Sequence, residues 1–165
     1  MLKGGRVAAG SSHAGRGSTG KLVAFQLTAC PMTAEISVPV SFGELLDKIS
    51  ILQIKSERIS DPGKLANIRA ELSALEKTWM GHAAGSRDIA ALRAELKDIN
   101  EQLWDIEDNI RLKDQVAEFD EAFVALARSV YQKNDQRARI KKDINLALGS
   151  VYVEEKSYKD YSGRG

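Results

Sequence analysis

The chain has 165 residues, enough for one domain, with 24 basic against 23 acidic residues and a net charge of +1. Such a balance removes the bulk electrostatic pull that nucleic acid or an anionic membrane exerts on a basic protein. With Cys30 as the sole cysteine, an intramolecular disulfide and a cysteine-based zinc site are both excluded.

Residues 1–31 carry Lys3, Arg6, Arg16 and Lys21 and no acid, in a background rich in Gly, Ser and Ala. This composition buries too little apolar surface to offset the entropy of ordering. Gly15, Gly20 and Lys21 satisfy G-x-x-x-x-G-K, the spacing of a phosphate-binding loop. Leu22, however, stands where that loop needs a hydroxyl for magnesium, and no strand precedes it. "LTAC", Leu27 to Cys30, matches a lipoprotein cleavage box, but the apolar stretch before it is short and broken by Gln26. Residues 1–31 are therefore expected to be a disordered or upstream extension, with Met32 as the true start. The single domain is expected over 32–161 with a tail at 162–165. Its location is expected to be cytoplasmic, with a lipoprotein anchored through Cys30 as the alternative. No apolar run reaches the roughly 18 residues of a membrane span.

After Met32 the pattern becomes that of a folded protein. Ile36, Val38 and Val40 alternate, which predicts an extended segment held to an edge by Pro39. Ser41 and Glu44 form a capping box that opens a helix. Its apolar residues Phe42, Leu45, Ile49, Leu52 and Ile59 keep 3-4 spacing, while Ile51 and Ile54 fall on another face, which predicts neighbours on two sides. "DPG" at 61–63 ends it. A second helix follows with Leu65, Ile68, Leu72, Leu75 and Trp79, and "MGHAAGSR" makes a turn. A third carries Ile89, Leu92, Leu96, Ile99, Leu103, Ile106 and Ile110, an unbroken heptad seam about 32 Å long. The second and third are expected to form an antiparallel hairpin, with the surplus length of the third covered by the Ser41 helix. Val116, Phe119, Phe123, Leu126 and Val130 begin a fourth pattern that resumes at Ile140, Ile144 and Leu148 and stops at Gly149. Fold class is thus all-α: an antiparallel hairpin or bundle with heptad seams and short extended ends.

Lys133 and Arg137 occupy two slots of the fourth seam. Buried without a partner, each would cost several kcal/mol. Three arrangements relieve that cost. The helix breaks at Asn134 and Asp135, or an acid of another helix pairs with them, or Lys133, Asn134 and Arg137 bind an anionic ligand inside the bundle. Asp98, Glu101, Asp105 and Asp108 form an acidic stripe opposite the seam of the third helix. It reads as a solvated face, or one that meets the basic stretch Arg128 to Lys142, rather than as a magnesium site. Only Tyr131 could stack on a base in that stretch, so nucleic-acid binding is not expected. His13 and His82 have no acids at ligand spacing and receive no role. No metal or cofactor is expected. The tail from Val151 to Tyr161 lies along the bundle or pairs with Ile36–Val40. Alternatively, Glu154, Glu155, Lys156, Tyr158 and Tyr161 dock a partner protein.

The phrases "VPVSFGELLDKISILQIKSERISDPGKLANIRAEL", "LWDIEDNIR", "NDQRARIKKDIN" and "VEEKSYKDY" resemble a family of short bacterial helical proteins of unknown function, from about Ile36 to Tyr161. That resemblance implies no reaction. "LRAELKDINEQL", Leu92 to Leu103, is similar to the first helix of the all-helical chorismate mutases, with Arg93 at their arginine. By that analogy Lys133 and Arg137 would clamp a dianion. Function is therefore expected to be a non-catalytic interaction or scaffold module that binds a partner protein or itself. A small enzyme or binder of an anionic metabolite is the alternative.

Overall fold

The computed structural model describes residues 36–153 and 155–157. Four α-helices account for most of them: α1 (Phe42–Arg58), α2 (Pro62–Gly81), α3 (Ala90–Gln115) and α4 (Glu121–Leu148), with a short 3-10 turn at Ala83–Ser86 between α2 and α3. No strand occurs among the described residues. The all-α class therefore holds. The phosphate-loop spacing, the lipoprotein box, His13, Cys30, Met32, Glu154, Tyr158 and Tyr161 lie outside the described residues.

Three of the four helices begin at a side-chain cap, and α3, which follows Ile89, does not. Ser41 Oγ accepts from the Glu44 amide at 3.2 Å. Only this half of the capping box forms, because the Glu44 carboxylate turns to Lys141 of α4 instead. "DPG" starts α2 as much as it ends α1, since Asp61 accepts from the Lys64 amide at 2.8 Å and Pro62 takes the first helical turn. Asp120 accepts from the Phe123 amide at 2.9 Å and opens α4. Val116 and Phe119, expected inside the fourth helix, lie instead in the turn that joins α3 to α4. Ala117 adopts φ 54° there, and the amides of Ala117 and Glu118 close back onto Asp114 and Lys113. At the other end of α4, Gly149 takes φ 68° and the Ser150 amide returns to the Asn145 carbonyl, which stops the helix.

The helix breaks at neither Asn134 nor Asp135: α4 runs unbroken through both. The expected hairpin also differs. α1 lies against α2, α3 and α4, and α3 lies along α4, while α2 and α3 are not among the pairs that pack side by side. The short links 59–61 and 116–120 fold α1 onto α2 and α3 onto α4. Phe42 accordingly meets Trp79 at 6.1 Å and His82 at 5.1 Å between ring centroids. Gly43 faces Asn145 and Asp47 faces Lys141, so α1 and α4 are antiparallel. The two apolar sides of α1 thus find the several neighbours that their spacing required.

The core sits around α1. Leu46 and Ile49 of α1, Leu96 and Ile99 of α3, Ile144 and Leu148 of α4 and Trp79 of α2 form one cluster, with Ile144 completely buried. Burying each aliphatic side chain stabilises the fold by about 1.5–3 kcal/mol. Gly43 lets α1 approach α4 this closely, because a Cβ there would stand 2.5 Å from the Lys141 carbonyl oxygen. Beyond Leu103 the third helix leaves this cluster. Ile106 and Ile110 are half-buried, and Leu112, Val116, Phe119 and Val124 are exposed. The far halves of α3 and α4 therefore form a two-helix arm. Ile36–Val40 have no strand partner and are exposed, so the expected pairing of the tail with this segment is absent from the described residues. The described part of the tail follows α4, where Glu155 pairs with Lys142 at 3.0 Å and Lys156 Nζ reaches the Asn134 carbonyl at 3.4 Å.

Candidate functional site

Where α1 crosses α3 and α4, the core carries a layer of buried polar side chains: Asp47, Ser50, Asn100, Lys141 and Asn145. Lys141 donates to Glu44 Oε2 at 2.5 Å and lies 3.7 Å from Asp47 Oδ2. Its side chain is 8 % exposed, so the paired carboxylates are what make its burial tolerable. Asn145 Oδ1 accepts from the Gly43 amide at 2.7 Å and thereby caps α1 from another helix. Its Nδ2 is buried without a partner among the described residues.

Asn100 links this layer to a cleft. Its Nδ2 donates to Asp47 Oδ1 at 2.7 Å and to Ser50 Oγ at 2.8 Å, while Ser50 Oγ donates in turn to the Asp47 carbonyl at 2.8 Å. Both amide protons of Asn100 are thus committed to α1, and its Oδ1 is left to accept from Arg137 Nη1 at 3.3 Å. Arg137 Nη2 donates to Asn134 Oδ1 at 2.6 Å, and Asn134 Nδ2 is held by the Val130 carbonyl at 2.9 Å. A chain of donors and acceptors thus runs from Asp47 through Asn100 to Arg137 and sets the guanidinium in place. No carboxylate pairs with Arg137 among the described residues.

The cleft beside it measures about 320 Å³ and lies between α1, α3 and α4. Ile51, Leu103 and Trp104 supply its apolar wall. Arg111 lines it too, bridged to Glu107 at 2.7 Å and Asp108 at 3.5 Å. The Arg58 guanidinium lies 5.9 Å from the Trp104 ring centroid and pairs with Asp105, whose hydrogen bond raises its pKa further.

Of the three residues singled out in the fourth seam, the structure joins two. Asn134 and Arg137 line the cleft together, whereas Lys133 is absent from its lining and points its Nζ at Gln136 Oε1, 3.4 Å away. The acid pairing considered for Lys133 and Arg137 belongs instead to Lys141, one turn further along. Of the acidic stripe, Asp105 faces Arg58 of α1 and Glu101 pairs with Lys97 at 3.5 Å, while Asp108 lines the same cleft as Arg137 and pairs with Arg111 instead. No three His, Cys, Asp or Glu side chains converge at metal-ligand distance among the described residues. His82 is structural, accepting from the Ala84 amide at 3.1 Å.

Sequence reasoning missed Asn100, Arg111, Lys141 and Asn145. A signal existed for two of them. Asn100 stands four residues after Leu96 and three before Leu103, and Asn145 follows Ile144, so each is an amide at the edge of an apolar seam. Such residues are buried once a third helix covers that edge.

At the arm's end, Lys113 joins Glu118 at 2.9 Å and Asp120 at 3.0 Å across the α3–α4 turn. Hydrogen bonds to Glu118 and then Asp120 raise the Lys113 pKa. The Phe123 amide and then Lys113 hold the Asp120 carboxyl below the usual aspartate range. On the next turns Glu121, Val124, Ala125 and Arg128 are exposed at spacing i, i+3, i+4 and i+7.

No helix among the described residues is long and apolar enough to cross a membrane. Comparison with curated proteins and with solved structures gives no match. A family model described as "Family of unknown function (DUF6165)" matches residues 36–162, which span all four helices and the cleft. The chain belongs to that family.

Proposed function

We propose that the protein is a non-catalytic helical interaction module whose arm pairs, in coiled-coil fashion, with the arm of a second copy. The observation that carries this reading is the stripe Glu121, Val124, Ala125 and Arg128. All four lie on one face of α4 and are exposed. Neither Glu121 nor Arg128 has an ion-pair partner among the described residues. Antiparallel apposition of two such stripes about a two-fold axis between Val124 and Ala125 sets Glu121 of each copy against Arg128 of the other. A self-complementary patch is what an isologous dimer needs. Ala125 is small enough to let the helices approach, and Phe119, 60 % exposed beside the stripe, adds apolar area. A two-helix arm buries one stripe of each helix; two arms together make a four-helix bundle that buries more.

The experiment is light scattering of the full chain across a concentration series, for the wild type, Arg128→Glu, and Glu121→Arg combined with Arg128→Glu. A concentration-dependent dimer is expected in the wild type, lost in the single variant and restored in the swapped pair. A monomer throughout, or dimerisation equal in all three, refutes the reading.

A further inference from the structure

We infer that the cleft between α1, α3 and α4 is a binding site for a small organic monoanion, a carboxylate carried on a flat apolar body. It needs no second copy and stands apart from the pairing of arms.

Arg137 decides the class. Its guanidinium is half-buried and its hydrogen-bond partners are the neutral oxygens of Asn100 and Asn134. Two of five N–H donors are used this way, and a planar fork with donors to spare matches a carboxylate bidentately. A cation taken from water without a counter-charge is costly, yet the structure spends a chain of buried polar groups on fixing it in place. Asp47 and Ser50 hold Asn100, Asn100 and Asn134 hold Arg137, and none of these contacts neutralises its charge. An incoming anion does.

The rest of the lining selects among anions. Glu107 and Asp108 share the cleft with Arg111 and Arg137, so the four ionic side chains sum to zero. One negative charge is welcome on Arg137, while a second meets the two carboxylates. Phosphate esters and nucleotides are disfavoured accordingly. Ile51, Leu103 and Trp104 form an apolar wall beside the guanidinium, and the indole offers a plane for stacking. The volume, about 320 Å³, suits a body of one or two rings.

The test uses the full isotope-labelled chain titrated with benzoate, with inorganic phosphate as the second probe. It reads the side-chain amide signals of Asn100 and Asn134 and the Trp104 fluorescence. Benzoate is expected to saturate and to shift those amides together, with phosphate much weaker. Arg137→Gln is expected to weaken benzoate by about tenfold or more, the loss of a charge-assisted contact, and Arg137→Lys to recover only part of it. Should Arg137→Gln fail to fold, Trp104→Leu serves instead, since Trp104 is half-exposed and outside the core cluster; it too is expected to lose benzoate binding. Benzoate shifts that never saturate, or that are equal in wild type and folded variants, overturn the site. Phosphate binding as tight as benzoate overturns the assigned ligand class.

Discussion

The same two helices, α3 and α4, are buried in one half of the molecule and bare in the other. Up to Leu103 the seam of α3 is overlaid by α1, and Leu96 and Ile99 are sealed from water. Past that point the spacing of apolar residues continues without error, yet Ile106 and Ile110 are only half-buried and Leu112 is 62 % exposed. Heptad spacing secures a neighbour along one stripe; a third helix is needed to turn that stripe into a core. The charges differ in the same way. Lys141 is enclosed in the body beside the buried Asp47, with the exposed Glu44 carboxylate at its rim, whereas Arg111 with Glu107 and Asp108 on the arm lies open to solvent and contributes little to stability.

The sharpest way to break this contrast is Asp47→Ala. It removes a carboxylate from enclosed Lys141 and an acceptor from Asn100, and a loss of about 3–5 kcal/mol is expected in urea unfolding. Glu107→Ala on the arm is the matched control, expected within about 0.5 kcal/mol of wild type. Equal losses in the two would remove the distinction between body and arm. Gly43→Ala probes the closeness of α1 to α4. Although alanine favours a helix, its Cβ meets the Lys141 carbonyl, and a net loss of about 2 kcal/mol is expected; a gain would mean that the two helices separate without cost. Apart from the Glu107→Ala control, the smallest effect has the opposite sign. Ala117 bears φ 54° at the end of α3, so Ala117→Gly is expected to stabilise the arm by about 1 kcal/mol. Amide exchange should slow along 105–130 while the body is unchanged, and slower exchange everywhere would show the arm and body to unfold as one unit.

Much of the fold was legible because helices advertise themselves locally. The seams of α1 to α4, the cap at Ser41 and the stop at Gly149 depend on residues within a few turns of one another. The start of α4 was misplaced because Val116 and Phe119 keep apolar spacing while Asp120, the actual cap, was not weighed against them. A break at Asn134 was one of three arrangements open to the seam cations, because a charge on an apolar stripe is costly unless it is solvated, paired or bound to an anion. In the structure Arg137 rests on two amide oxygens, Asn100 and Asn134, and the helix continues beneath it. The cleft was half legible: Asn134 and Arg137 stood out as charge and amide on an apolar stripe, while Asn100 carried only the weaker signal of an amide at the edge of a seam and Arg111 carried none.

The sequence alone determined that this protein is helical, where its helices lie to within a few residues, and which stripe of each is apolar, because spacing and capping are short-range properties of the chain. Only the tertiary structure decided which helices are neighbours, which polar residues are enclosed, and that Arg137 rather than Lys133 faces the cleft. Those outcomes depend on where α1 crosses α3 and α4, a meeting of residues some fifty to one hundred positions apart that no local pattern records.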